Sequence, residues 1–114
     1  MNKAKTAMTL IQYVIVRADL MKVLKWNIGA VITQACHAVA AVNELNKADE
    51  LTIQYLSPEN LDSMHKCVLA IPDQAAIENL HKTLDDAGIA HKLWLEQPEN
   101  IPTCIAVKPY EKET

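Results

Sequence analysis

Residues 10–17, "LIQYVIVR", form an eight-residue run rich in apolar and β-branched side chains, with no helical period. Such a run reads as a buried strand. β-branched side chains fit a pleated surface, and a helix would need its apolar residues at spacings of three and four. A strand cannot stand alone, so the rest of the chain must supply its partners.

Three further segments read as strands: "KCVLAI" (66–71), "HKLWLEQ" (91–97) and "TCIAVK" (103–108). The last two are joined by the proline-containing loop "PENIP". A helix is expected from about Ile28 to Leu45, with Asn27 as its N-cap and Trp26 and Val31 at the two staple positions. A second helical stretch, "DELTIQYL", ends near "SPEN", where Ser57 can cap and Pro58 can start one more short turn. Asp73 caps a third helix, in which Ile77, Leu80 and Leu84 recur at helical spacing and which Gly88 stops. The order strand–helices–strand–helix–strand–strand predicts an α/β layer with a small four-stranded mixed sheet. A right-handed crossover joins strands one and two, and a closing hairpin makes the sheet mixed. A single domain is expected over residues 10–110, between an N-terminal tail (1–9) and a C-terminal tail (111–114).

Half of the 114 residues are apolar, enough for one core, while 22% charged residues and two glycines exclude a low-complexity chain. The longest apolar run is far short of a membrane span, and the run after "MNKAKTAM" contains Gln12, Arg17 and Asp19 with no cleavage site. Neither a membrane partner nor a signal peptide is expected. Cys36, Cys67 and Cys104 each sit in an apolar segment, and no Cys-x-x-Cys occurs. They read as buried reduced thiols of a cytoplasmic protein, with a mitochondrial location left open. His65 and Cys67 form one short pair with no second pair to match, so no metal and no cofactor are expected. His65, His81 and His91 show no recognisable partners. Charge is uneven: residues 1–35 carry Lys3, Lys5, Arg17, Lys22 and Lys25 against Asp19, and residues 36–114 carry six lysines against thirteen acids. This is either a local basic patch or a solvated, lysine-rich surface.

Within the long helix, "TQACHAVAAV" poses a question. At 100° per residue, Ile28, Val31, Ile32, Ala35, Val39 and Val42 form one apolar arc, which is expected to lie on the sheet. Ala30, Gln34, His37 and Ala41 fall on a different side, and Cys36 falls at the edge of the apolar arc. Gln34 and His37 are then two polar groups on an alanine-lined face. Such a face suits close packing against another helix or subunit, and it equally suits a shallow site with room for a bulky ligand.

"VIVRADL" followed by "VITQACHAVAAV" resembles the type-2 peptidyl-tRNA hydrolases, whose pattern runs R-x-D-L, a G-K-G-K loop, then A-A-Q-x-x-H-A on the first helix. The resemblance continues through "WLEQPENIPTCIAVKPY" and covers about Leu10 to Tyr110. It is nearest to the divergent branch called peptidyl-tRNA hydrolase domain-containing proteins. It implies a mixed sheet with helices on both faces and a peptidyl-tRNA substrate. The implied reaction is hydrolysis of the ester joining a peptide carboxyl to the terminal ribose of tRNA. Arg17 and Asp19 match the family's R-x-D, Gln34 and His37 its glutamine and histidine, and Thr103 its late threonine. Ala30 and Ile28 stand where the family carries lysines. The shorter "EQPEN" replaces its D-A-G-R-T loop, with Glu96 roughly at the aspartate.

Ester hydrolysis needs an activated water and donors for the developing oxyanion. Glu96 or His37 is expected to orient or deprotonate water and Gln34 or Asn100 to donate a hydrogen bond, with Asp19 and Thr103 completing the candidate catalytic set. Arg17, Lys22 and Lys25 are expected to hold tRNA phosphates near the helix N-terminus. Trp26 either stacks on a base or serves only as the staple. Trp94 reads as packing. Two classes stay open. One is a hydrolase of peptidyl-tRNA or a related N-acyl-aminoacyl-tRNA. The other is a non-catalytic tRNA-binding or homodimer-forming module that kept the fold without the lysines.

Overall fold

In a computed structural model that describes residues 9–112, β1 (Leu10–Arg17) is the strand around which everything else is arranged. It is followed by α1 (Asp19–Lys22), α2 (Ile28–Leu45), α3 (Glu50–Tyr55), β2 (Lys66–Ile71), α4 (Gln74–Asp86), β3 (His91–Glu96), β4 (Ile101–Val107) and β5 (Tyr110–Glu111). The sheet order is β2-β1-β4-β3. β1 pairs in parallel with β2 (Val14 opposite Val68) and antiparallel with β4 (Val14 opposite Ala106), and β3 and β4 form the closing hairpin. The mixed α/β sheet expected from the sequence is therefore present, with β5 as a short fifth strand on β1. Leu10 pairs with Glu111, and the Lys112 amide donates to the Thr9 carbonyl at 2.7 Å, so backbone pairing extends beyond both expected domain boundaries. Lys3, Lys5 and the rest of residues 1–8 lie outside the described residues.

Alternation along the strands builds two cores. Val14, Cys104 and Ala106 pack under Ala38 and Val42 of α2, while Ile15, Ile105 and Val107 pack under Ile77 of α4. Helices thus cover both faces. The buried Gln12 of β1 is satisfied: its amide donates to Asn43 Oδ1 and the Val107 carbonyl, and its oxygen accepts from Lys66 Nζ. β2 forms one edge of the sheet and is poorly covered, with Val68 63% and Leu69 47% exposed.

Four expectations are corrected. The face of α2 that meets the sheet is the Gln34–Ala38–Val42 ridge, whereas Ile28 and Ile32 are 62% and 55% exposed. The expected arc is therefore rotated by about 70° from the real one, taking 100° per residue. Gln34 belongs to the sheet-facing ridge and does not lie on a separate face. Cys36 is exposed and Cys67 half-buried, so only Cys104 is a buried thiol. α2 is also long and apolar enough, by length and composition, to cross a membrane; here its narrow buried ridge packs on the sheet. Lastly, the Ser57 hydroxyl caps nothing ahead of it and donates back to the Gln54 carbonyl.

Candidate active site

Two loops meet beside the N-terminus of α2. On one side, Lys25 turns the chain with a left-handed φ of 64°, and the Asn27 side chain accepts from the Ala30 amide at 2.8 Å, capping α2 as its sequence predicts. On the other side is the β3–β4 turn, closed by Asn100 at φ 60°, whose amide donates to the Glu96 carbonyl at 2.6 Å. Between them lies an open cavity of about 350 Å³. Lys25, Trp26, Asn27, Ala30 and Gln34 line its helix side, and Glu96, Gln97 and Glu99 its loop side.

Gln34 is held from two directions. Thr103 Oγ1 donates to Gln34 Oε1 at 2.9 Å, and Gln34 Nε2 donates to the Ala30 carbonyl at 3.2 Å. Because that carbonyl can only accept, the amide has one orientation, and Thr103 must be the donor on the other side. The second Nε2 hydrogen has no protein partner among the described residues. Gln34 itself is 2% exposed yet forms part of the cavity wall.

Glu96 is reached through an aromatic bridge. The His37 ring stacks on Trp94 at 4.7 Å between centroids and 21° between planes, and Trp94 Nε1 donates to Glu96 Oε1 at 3.1 Å. Trp94, read from the sequence as packing alone, therefore connects His37 to Glu96. The signal was available, since Trp94 and Glu96 are two apart on one strand and so share a face.

Of the expected site residues, Gln34, Glu96, Lys25 and Trp26 line the cavity together. Thr103 is fully buried behind Gln34. His37 stands one turn further along α2 and meets the site through Trp94. Asn100 shapes the turn, its Oδ1 accepting from Gln97 Nε2 at 3.0 Å. Lys22 is exposed at the end of α1. Arg17 and Asp19 are paired with each other. Arg17 Nε and Nη2 donate to the two Asp19 oxygens at 2.9 and 2.8 Å, and Nη1 donates to the Pro102 carbonyl at 2.9 Å. Arg17 is 5% exposed, so its charge is spent inside the fold, contrary to the expected phosphate contact. The Arg17 hydrogen bond, against a smaller opposing effect of burial, holds the Asp19 carboxyl below its ordinary value.

Comparison with known sequences gives concordant matches. The family described as "Peptidyl-tRNA hydrolase PTH2" matches residues 10–114. The proteins named "Putative peptidyl-tRNA hydrolase PTRHD1" from Homo sapiens and Mus musculus are each 45% identical over 105 residues, covering 91% of this chain and 74% of their own length. With that match spanning the whole sheet, both helical layers and the cavity at the start of α2, the chain belongs to the peptidyl-tRNA hydrolase PTH2 family.

Proposed function

We propose that the chain hydrolyses the ester between a peptide, or N-acyl-amino acid, and tRNA, and that the cavity between α2 and the β3–β4 turn is where it does so. The observation that carries this reading is the pinned Gln34 amide, which presents one unpaired N–H at the wall of a cavity that also holds a carboxylate.

Glu96 Oε1 is occupied by Trp94, while Oε2 has no protein hydrogen bond among the described residues and is free to take a proton from water. The water oxygen attacks the ester carbonyl carbon, its proton passes to Glu96, and the carbonyl oxygen becomes an oxyanion that accepts from Gln34 Nε2. Collapse of that intermediate breaks the bond to the ribose oxygen, which leaves with the proton returned by Glu96. The cavity wall contains no serine, threonine or cysteine, and Glu96 serves here as the base, so water attacks directly and no acyl-enzyme is expected. Lys25 on the wall and Lys22 nearby supply cations for the phosphates of the tRNA end, and Trp26 offers a face for its terminal base.

Incubation of the purified protein with an N-acyl-aminoacyl-tRNA tests this. Release of free tRNA is expected, falling by about a hundredfold or more in Glu96→Gln and in Gln34→Leu. If the wild-type chain binds the substrate without cleaving it even at stoichiometric enzyme, the hydrolase reading fails and the non-catalytic module is correct.

A further inference from the structure

Two histidines and an aspartate come together at the far end of β3. His81 and Asp85 are four residues apart on α4 and share a face. His91 opens β3, five residues before Glu96, or about 17 Å along the strand. His81 Nδ1 lies 2.8 Å from His91 Nε2, His81 Nε2 lies 3.5 Å from Asp85 Oδ2, and His91 Nε2 lies 3.6 Å from Asp85 Oδ1. One ligand atom from each residue falls within 4.8 Å of the other two. The cluster straddles the turn at Gly88 and takes no part in the chemistry above.

With both rings neutral, the group is one cation short. His91 Nδ1 is 2.7 Å from the Ile89 carbonyl, which can only accept, so Nδ1 carries the proton and the neutral ring presents a lone pair at Nε2. The short contact between the rings then takes the Nδ1 hydrogen of His81. That leaves an unfilled lone pair on His81 Nε2, which faces Asp85 Oδ2, while Asp85 Oδ1 lies 3.6 Å from His91 Nε2 with no hydrogen between them. Neutral imidazoles therefore converge on a carboxylate with nothing positive between them. Either a second proton on His81 or a metal ion completes the arrangement. His91 is already fixed as a ligand would be: its outer nitrogen is held by a backbone carbonyl, and its side chain is only 3% exposed with Nε2 turned toward its neighbours.

We propose that a divalent transition-metal ion of the zinc class replaces the hydrogen between His81 Nδ1 and His91 Nε2, the His81 proton moving to Nε2 beside Asp85 Oδ2, with the other Asp85 oxygen and water completing the shell. Two imidazoles and one carboxylate suit Zn²⁺, Co²⁺ or Ni²⁺, while Mg²⁺ and Ca²⁺ prefer all-oxygen shells. Tetrahedral zinc with bonds of about 2.0–2.1 Å holds its nitrogens about 3.3 Å apart. The 2.8 Å separation must open by about half an ångström, which the partly exposed His81 can provide. The bound ion ties the C-terminal half of α4 to the first residue of β3. The three residues follow no short motif in the sequence, because they meet only once α4 turns back at Gly88.

The test titrates Zn²⁺ and Co²⁺ into the full chain, with binding read by calorimetry, the Co²⁺ visible spectrum and thermal melting. One ion per chain is expected, with a rise in Tm that EDTA reverses and a shift of the His91 Nε2 nitrogen resonance. His81→Gln and Asp85→Asn, both on the surface of α4, should each weaken binding at least tenfold. Cys36→Ser, which removes the exposed thiol, should leave it unchanged. The proposal is overturned by the absence of saturable uptake at micromolar metal, as when the cluster takes only a proton. It is overturned equally by binding that survives His81→Gln combined with Asp85→Asn, or that disappears in Cys36→Ser.

Discussion

Thr103 acts on the site without reaching the cavity. It is fully buried, and its hydroxyl hydrogen is what holds the Gln34 oxygen. Thr103→Val keeps the shape, removes the donor and strands a buried amide oxygen, a loss of about 1–3 kcal/mol. Turnover should fall with KM little changed, because in the proposed reaction it is Gln34 and not Thr103 that meets the substrate; an unchanged kcat would show that Gln34 needs no such support. Ala30 is the complementary case. It lines the cavity where the resemblance places a lysine, and Ala30→Lys should raise the rate by about tenfold or more if an added cation stabilises the oxyanion. The cysteines divide by exposure. Burial pushes the Cys104 thiol up to about 12, so it should resist alkylation until the protein unfolds, whereas exposed Cys36 should react first. Cys36→Ser should retain full activity, since Cys36 is not among the residues lining the cavity.

Among the elements, the junction of β1 and α1 depends on the Arg17–Asp19 pair. Asp19 has its carboxyl pKa lowered by Arg17, so the stabilisation is fully present above the ordinary carboxylate pKa and disappears as pH falls through the lower folded value. Asp19→Asn leaves a buried guanidinium short of its counter-charge. It should cost about 3 kcal/mol at neutral pH and flatten that part of the acid-unfolding curve, measured as denaturant midpoint against pH. The same pair shows where sequence reading stops. An arginine beside a lysine-bearing loop reads as a phosphate ligand until its partner two residues on is seen to be turned toward it. The phase of α2 failed for a related reason. Ile28 and Ile32 are its most hydrophobic early residues and so drew the expected arc toward themselves. The sheet instead receives the small side chains of Ala38 and Val42, together with a glutamine that finds its partner in Thr103 across 69 residues. Strand positions and caps were legible because each depends on a few neighbouring residues: Asn27 and Asp73 both cap as their types predict. Contacts between distant segments left no local pattern to read.

At the scale of the whole molecule, the negative chain must still bring a polyanion to one place. With Arg17 engaged internally, Lys22 and Lys25 are the expected phosphate contacts among the described residues. Two such contacts should give a log–log salt dependence of tRNA affinity with a slope of about −1.4 to −1.8. Lys22→Glu with Lys25→Glu should abolish most of it; a slope unaffected by that change would place the contact surface elsewhere.

The position of β1 has a further consequence, in time. It is the first made of the described strands and the one on which β2, β4 and β5 all pair, yet the last two of these lie at residues 101–107 and 110–111. During synthesis, an apolar segment suited to pairing must wait with only β2 available until nearly the whole domain has emerged. Pairings so distant in sequence form late, because loop closure must be completed before any of them contributes. For most of its synthesis the nascent chain therefore exposes its most strand-prone segment unpaired on one side, which is the period when it is most open to chaperones, proteases and other nascent chains.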